Sequence, residues 1–461
     1  MSDAQFGFRK KHSTGHAIHH SIDIINRAHH EKKHVLGIFI DFSKAFDTLD
    51  HKILLKKLDN CGVRGVTLKL LSSYLSDRYQ YTSALGQDSE KLPVKFGVPQ
   101  GSVLGPLLFL LYINDILNCY VGNNCKFVLY ADDTNIFVID KSRESAIKLA
   151  NTVLCTLNNF MKSNLLHINL DKCCFMHFEP PNEFNKRTIG SCARSRNYIP
   201  KAVQPKVSIN GNVIKEVTIT KYLGVVIDNR LSWIPHLEFL SKKLKSATGI
   251  LNQIRSDIPT ENYKMLYHTL FESHMIYCCS VFGGIAKNHT DIIFRIQKHC
   301  VRILFGDRES YLEKSRTCAR VREYNNQKLD CEYYKKENTK PLFHKNKILA
   351  FKNCYSYHSC LEIFKLLKFK VPRQIFEKLR LSKRNNKLLL IVPKHPKKSL
   401  IYRGSLIWNI AAKKIFKGKY LKNLTQLFVK FELKNALLKM QNKHHNIEWY
   451  ESNLNFSNLS N

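Results

Sequence analysis

The alternation of apolar and polar positions along this chain changes period several times, and each change marks an element. An apolar run from Val35 to Ile40 has the length of a buried strand and ends on Asp41. Asp50 then stands at the N-cap of a predicted helix over Lys52–Leu58, with Ile53, Leu54 and Leu58 apolar, and Gly62 closes it. A second helix is expected over Val66–Ser76. A hairpin follows, Tyr79–Leu85 with Lys91–Phe96 around Gly86, and then a helix from Ser102 to near Cys119.

Phe127–Tyr130 and Ile136–Ile139 are apolar runs separated by a short polar break, which predicts a hairpin with Asp132 and Asp133 at its turn. The stretch from Ser142 to His167 is helically spaced (Ile147, Val153, Leu154, Leu157, Phe160, Met161) and leads into a strand over Cys174–Phe178. Asn210-Gly211, between Val207-Ser208-Ile209 and Val213-Ile214, is the strongest local hairpin signal. Lys221–Asp228 is expected to be one more strand. From Pro235 the period turns helical in three segments, Pro235–Arg255, Asn262–Ser280 and Thr290–Phe305, and beyond Gly306 the chain is mixed and rich in Lys and Asn. The pattern predicts an α+β fold, with boundaries near Trp233 and between Gly306 and Lys340.

Composition adds a scale and a partner. At 461 residues and 44% hydrophobic, the chain has enough apolar material for two or three cores. The longest apolar run, Val103 to Ile113, is interrupted by Gly105 and Pro106 and is too short to span a bilayer, so a soluble protein with no membrane partner is expected. The 14 cysteines follow no small-scaffold framework and read as reduced, intracellular thiols. The formal net charge of +36 points to a polyanionic partner. Most of the excess lies after Tyr311, and between Val371 and Lys430 the sole acid is Glu377. Tyr402, Trp408, Phe416 and Tyr420 stand among those lysines, a mixture that suits single-stranded nucleic acid. A small helical domain with a basic exterior fits the same residues equally well.

Two adjacent acids on one strand point to opposite faces, but at a tight turn both can reach one solvated point. Such a point suits a hard divalent cation with oxygen ligands and room for phosphate. A lone Asp-Asp pair is more often a solvated turn. Asp41 changes that weighting, because it follows directly on a buried strand. If that strand lies beside the hairpin, Asp41, Asp132 and Asp133 converge. Two magnesium ions there could activate a 3′-hydroxyl and hold a triphosphate for in-line displacement. Taken alone, Asp41 serves equally well as a cap or turn residue.

Asp41-Phe42-Ser43-Lys44-Ala45-Phe46-Asp47, then Gly97-Val98-Pro99-Gln100-Gly101-Ser102-Val103-Leu104-Gly105-Pro106, then Tyr130-Ala131-Asp132-Asp133 resemble three successive palm motifs of reverse transcriptases. The wording is similar to that of non-LTR (LINE-type, jockey-like) retrotransposons. Gln5-Phe6-Gly7-Phe8-Arg9, with Ser13-Thr14, resembles the motif that precedes them. Asn169 with Lys172, and Lys221-Tyr222-Leu223-Gly224, resemble the two that follow, and Gln297 to Leu304 is similar to a helical stretch further downstream. The resemblance runs over residues 1 to 305.

The resemblance implies a right-hand polymerase: an antiparallel palm sheet backed by helices, partial fingers, a helical thumb and a basic C-terminal region. Residues 1–34 would be residual fingers and the start of the palm, 35–232 the palm with a fingers insert, 233–305 the thumb, and 306–461 a basic nucleic-acid-binding region. Asp41, Asp132 and Asp133 would be catalytic, holding two Mg2+ ions (Mn2+ can substitute) together with the Phe42 carbonyl. Phe46 would lie under the incoming sugar and select deoxynucleotides. Gln100, Gly101, Lys172 and Arg9 would line the nucleotide and template path, and Tyr222, Leu223 and Gly224 would grip the primer. The implied activity is RNA-directed DNA polymerisation, with an RNA template, a DNA primer or target DNA, and deoxynucleoside triphosphates as partners, in the nucleus. The fingers motifs that normally precede Gln5, and the endonuclease before them, have no counterpart, so a cut N-terminus is expected. A catalytically weak nucleic-acid-binding remnant is therefore the alternative.

Overall fold

The computed structural model describes residues 1–120, 122–181, 206–306, 339–382, 388–393, 399–416, 419 and 421–443. Two compact units emerge: Met1–Gly224 with Asp228–Leu231 and Val371–Glu377, and Val225–Ile227 with Ser232–Lys370 and Lys378–Asn461.

The first unit is built on one sheet. Strand β1 is His34–Ile40; β2–β5 are the two-residue pieces Tyr79–Gln80, Ser83–Ala84, Gln87–Asp88 and Leu92–Pro93. Then come β6, Cys125–Tyr130; β7, Asp133–Asp140; β8, Cys174–Phe178; β9, Ser208–Ile209; β10, Asn212–Val213; and β11, Lys215–Glu216. The sheet order is β11-β8-β1-β7-β6, antiparallel except that β11 runs parallel to β8. β1 is central and every one of its residues is buried, as a continuous apolar run requires of a strand covered on both faces.

The helices of this unit are α1, Thr14–His30; α2, His51–Asn60; α3, Gly65–Leu75; α4, Leu104–Ile113; and α5, Arg143–Ser163. Leu36, Ile38 and Ile40 share a core with Ile136 and Val138 of β7, and with Leu108 and Phe109 of α4 and Ile147, Leu154 and Leu157 of α5. Strand alternation sends Val35, Gly37 and Phe39 to the other face, where α1 packs on the sheet. Asp50 and Ser142 cap α2 and α5 through hydrogen bonds from Ile53 N and Ser145 N.

Three departures from the sequence pattern have identifiable causes. Helix α1, capped by Ser13, shows no clean apolar period because histidines break its spacing, yet His16 and His19 are buried among its isoleucines. The segment Lys221–Asp228 is not one strand: Leu223 (φ 45°) and Gly224 (φ 82°) turn the chain between Ile219–Tyr222 and Val225–Asp228. The second helical segment is broken into short pieces with a π-helical turn over Tyr267–Glu272.

Gly37 shows how tightly the sheet is faced. A Cβ there would stand 2.9 Å from the Phe178 ring and 3.4 Å from that of Phe137. Gly37→Val is therefore expected to destabilise the first unit by about 1–3 kcal/mol through overpacking, read as a lowered midpoint in chemical denaturation.

The second unit is helical, with Ile234–Ile254 packed on Lys287–Phe305 and Phe351–Phe369 on Leu400–Lys414. Gln297 is wholly buried; its amide donates to Tyr267 Oη and Leu349 O, each at 2.8 Å, and accepts from Phe351 N at 2.9 Å. The aromatic residues offered by the sequence as a stacking surface need correction. Trp408 and Phe416 are fully buried, with the Trp408 indole donating to Leu388 O at 2.7 Å and its ring stacked on Phe364. Trp408 is turned inward by helical spacing, and Phe416, just past the helix end, brings its ring to 5.7 Å from that of Trp408, away from Lys413 and Lys414 between them. Tyr420, residues 307–338 and residues 444–461 lie outside the described residues. Among the described residues no helix is long and apolar enough to cross a membrane.

Candidate active site

The pairing of β6 with β7 closes on Tyr130 and Asp133, which leaves Ala131 and Asp132 as a two-residue turn. Asp133 is thus the first residue of β7 rather than part of the turn. The register of β1 against β7 ends with Ile40 opposite Thr134, so Asp41, next along the chain, comes up beside Asp133. Three acids from two neighbouring strands meet at one end of the sheet. Desolvation of its carboxyl, then the charges of Asp132 and Asp41, push the pKa of Asp133 up to about 6, although its side chain keeps an open edge. Lys172 sets its ammonium 3.6 Å from Asp41 Oδ2, the one ion pair Asp41 makes among the described residues.

Asp41 is fixed from behind. Its carbonyl accepts from Asn169 N and Ser43 N donates to His167 O, each at 2.9 Å, bridging Phe42 to Ile168. That bridge makes no use of the Phe42 carbonyl, while the Phe42 ring is buried. Among the described residues no three acidic, His or Cys side chains are grouped tightly enough to cage an ion unaided. Magnesium, however, is usually held by one or two carboxylates together with substrate phosphates and water, not by a closed protein cage. An all-oxygen donor set of crowded acids fits such an ion: a divalent cation offsets the repulsion that Asp132 and Asp41 add to the desolvation raising the Asp133 pKa.

Phe46 lies on the loop between β1 and α2, and Gln100 and Gly101 on the loop before α4. Phe46 stacks on Phe109 with ring centroids 4.5 Å apart and meets Phe8 edge-on at 6.3 Å, so its ring is pinned but only half-buried. Gln100 is exposed and donates to Asp47 Oδ1 at 2.8 Å. Gly101 has φ 81° with open space where a Cβ would go, so backbone conformation alone demands glycine there. Gly97 also has φ 81°, but a Cβ would come within 2.7 Å of the Asp47 backbone. Its bareness thus serves the close approach of two loops. His51 Nε2 lies 2.8 Å from Gly97 O and ties those loops together, a long-range contact with no local signature. Beside them opens a cavity of about 590 Å³ whose lining includes Lys44, Asp47, Arg78, Lys95, Phe96 and Gln100.

Arg9 and Tyr222 are both engaged within the protein. The Arg9 guanidinium folds back on its own segment, donating to Ser2 O at 2.7 Å and Gln5 O at 3.0 Å, with Asp3 at 3.8 Å. Tyr222 is buried against Phe39, with its hydroxyl 3.0 Å from Ser21 Oγ. Burial raises the pKa of that phenol. In the rest of the motif Lys221 and Gly224 are exposed and Leu223 is half-buried.

Residues 1–227 match the family model described as "Reverse transcriptase (RNA-dependent DNA polymerase)". These residues belong to the reverse transcriptase family. Several relatives of this domain are named as polymerases of mobile elements. The chain is 27% identical over 310 residues to the RNA-directed DNA polymerase from mobile element jockey of Drosophila melanogaster, covering 66% of this chain and 32% of that protein. It is 28% identical over 316 residues to the probable RNA-directed DNA polymerase from transposon BS of the same fly, with the same coverage. A Pol polyprotein from type-1 retrotransposable element R1 of Bradysia coprophila is 26% identical over 259 residues, 55% of this chain and 23% of that one. The chain thus spans about a third of the length of the first two curated relatives it matches. The telomerase of Candida albicans, solved with a fragment of telomeric RNA, superposes with a TM-score of 0.32 at 10% identity over 60% of this chain and 48% of that one, a likeness too weak to argue from.

Proposed function

We propose that this chain is an RNA-directed DNA polymerase of a non-LTR element, adding deoxynucleotides to a primer 3′-hydroxyl on an RNA template. The observation that carries this reading is the meeting of Asp41, at the end of β1, with Asp132 and Asp133 on the neighbouring hairpin. Asp41 and Asp132 are the principal ion ligands, with the Phe42 carbonyl, and Asp133 the weaker partner. Bound there, a pair of magnesium ions would supply Lewis acidity to the 3′-hydroxyl and hold charge on the triphosphate. Lys172, close to Asp41, would neutralise phosphate charge in the bound state. Gln100 and Gly101 would face the nascent base pair, Phe46 the sugar, and the turn at Leu223-Gly224 the primer.

In this reading the sheet unit is the palm with part of the fingers, and the helices from Ile234 to Phe305 are the thumb. The basic excess after Tyr311 supplies phosphate contacts. Use of nicked target DNA as primer would place the work in the nucleus.

The test is extension of oligo(dT) annealed to poly(rA) by the full chain with Mg2+ and dTTP. Product lengthening that needs the template and stops when dTTP is replaced by dGTP is the expected result. Extension that ignores the template, or none above the Asp132→Ala protein, would overturn the proposal.

A further inference from the structure

The N-terminal residues reach the acidic turn and hold it. Ala4–Phe6 run parallel to β6: Leu129 N donates to Ala4 O at 2.9 Å and Phe6 N to Leu129 O at 2.8 Å. β6 stops at Tyr130, but the hydrogen-bond ladder continues through a side chain. Gln5 Oε1 accepts from Ala131 N at 3.0 Å and from Gly7 N at 2.7 Å, and Gln5 Nε2 donates to Ala131 O at 3.4 Å. One buried amide therefore engages both polar groups of Ala131.

Ala131 needs that help. It is buried and left-handed, with φ 56°, a region that any residue with a Cβ enters at a cost and glycine enters freely. Gly7 closes the clamp from the same side: a Cβ there would lie 2.3 Å from Ala131 N and 3.0 Å from the Tyr130 carbonyl carbon. Arg9 in turn braces the clamp by donating to Gln5 O. Asp132 follows immediately on the residue that is held.

We propose that Gln5 is a positioning residue for Asp132: its side-chain amide fixes the left-handed turn at Ala131 and so sets where the Asp132 carboxylate stands for a divalent ion. This rests on the reading of Asp132 as an ion ligand, and the test separates the two claims.

Mn2+ binding to the full chain is measured by electron paramagnetic resonance, alongside the Mg2+ concentration that half-saturates extension and the thermal midpoint. Gln5→Ala leaves two buried N–H groups without an acceptor and should weaken Asp132-dependent Mn2+ binding about tenfold, with a matching rise in the Mg2+ requirement. Adding Ala131→Gly to Gln5→Ala should restore most of the binding, because glycine holds that φ unaided. A purely structural Gln5 would not be rescued at Ala131. Should Gln5→Ala fail to fold, Gln5→Met takes its place with the same rescue.

Mn2+ binding that Asp132→Ala leaves unchanged overturns the ion reading itself. Binding that depends on Asp132 but is untouched in a folded Gln5→Ala or Gln5→Met protein, or not restored by Ala131→Gly, overturns the clamp alone.

Discussion

Asp132→Ala should lower the rate of primer extension by about a thousandfold or more, because an ion worth several kcal/mol to the transition state loses its principal ligand. The loss should come without a loss of fold. Asp132 sits at a turn, outside the strand ladder, and its charge is one of those that push the Asp133 pKa up to about 6. Removing it relieves repulsion, so the thermal midpoint should hold or rise while activity disappears. Asp133→Asn should be milder, because in the proposed reading Asp133 is the weaker partner of the ions. Single-turnover extension on poly(rA)/oligo(dT), with a melt of each variant, checks both halves. An Asp132→Ala protein that extends within a few-fold of wild type would remove the acids from the mechanism.

Different parts of this molecule were legible in the sequence for different reasons. The strand over Val35–Ile40 and the hairpin over Phe127–Ile139 could be seen because a strand buried on both faces must be apolar without interruption. Asp50 and Ser142 announced their helices by cap chemistry that acts within one turn. Helix α1 stayed hidden because its buried histidines look polar in any hydropathy window. Ala131 gave no hint of its left-handed φ, since alanine is the least expected residue there and the cause lies far away in the chain, at Gln5. The same holds for His51 and Gly97. Motif spacing located the acids, but only the register of β1 against β7 shows which two strands bring them together.

The second unit is less legible for a different reason. Its basic residues and its aromatics alternate in sequence, and composition alone merges them into one surface. The structure separates them: Trp408 turns inward on its helix and Phe416 is buried just past the helix end, so neither ring is a stacking platform beside the lysines.

Phe46→Val should relax the choice of sugar, raising the efficiency of ribonucleotide incorporation relative to deoxynucleotide by about a hundredfold. The argument is geometric. Phe46 stands five residues after Asp41 on the loop that follows β1, with one ring face closed by Phe109 at 4.5 Å and an edge met by Phe8. A ring held by stacking cannot swing away, so a 2′-hydroxyl arriving above it meets fixed carbon atoms. Valine keeps a branched apolar contact with Phe109 but withdraws the outer part of the ring. Stability should therefore fall by only about 1–3 kcal/mol, the cost of a partly collapsed core site. The two effects separate in one experiment: extension with UTP and with dTTP on poly(rA)/oligo(dT), at a temperature well below the melt of the variant. Equal loss with both nucleotides would mean that Phe46 is core alone. A gain with UTP and near-constancy with dTTP would assign the half-exposed face of the ring to the sugar.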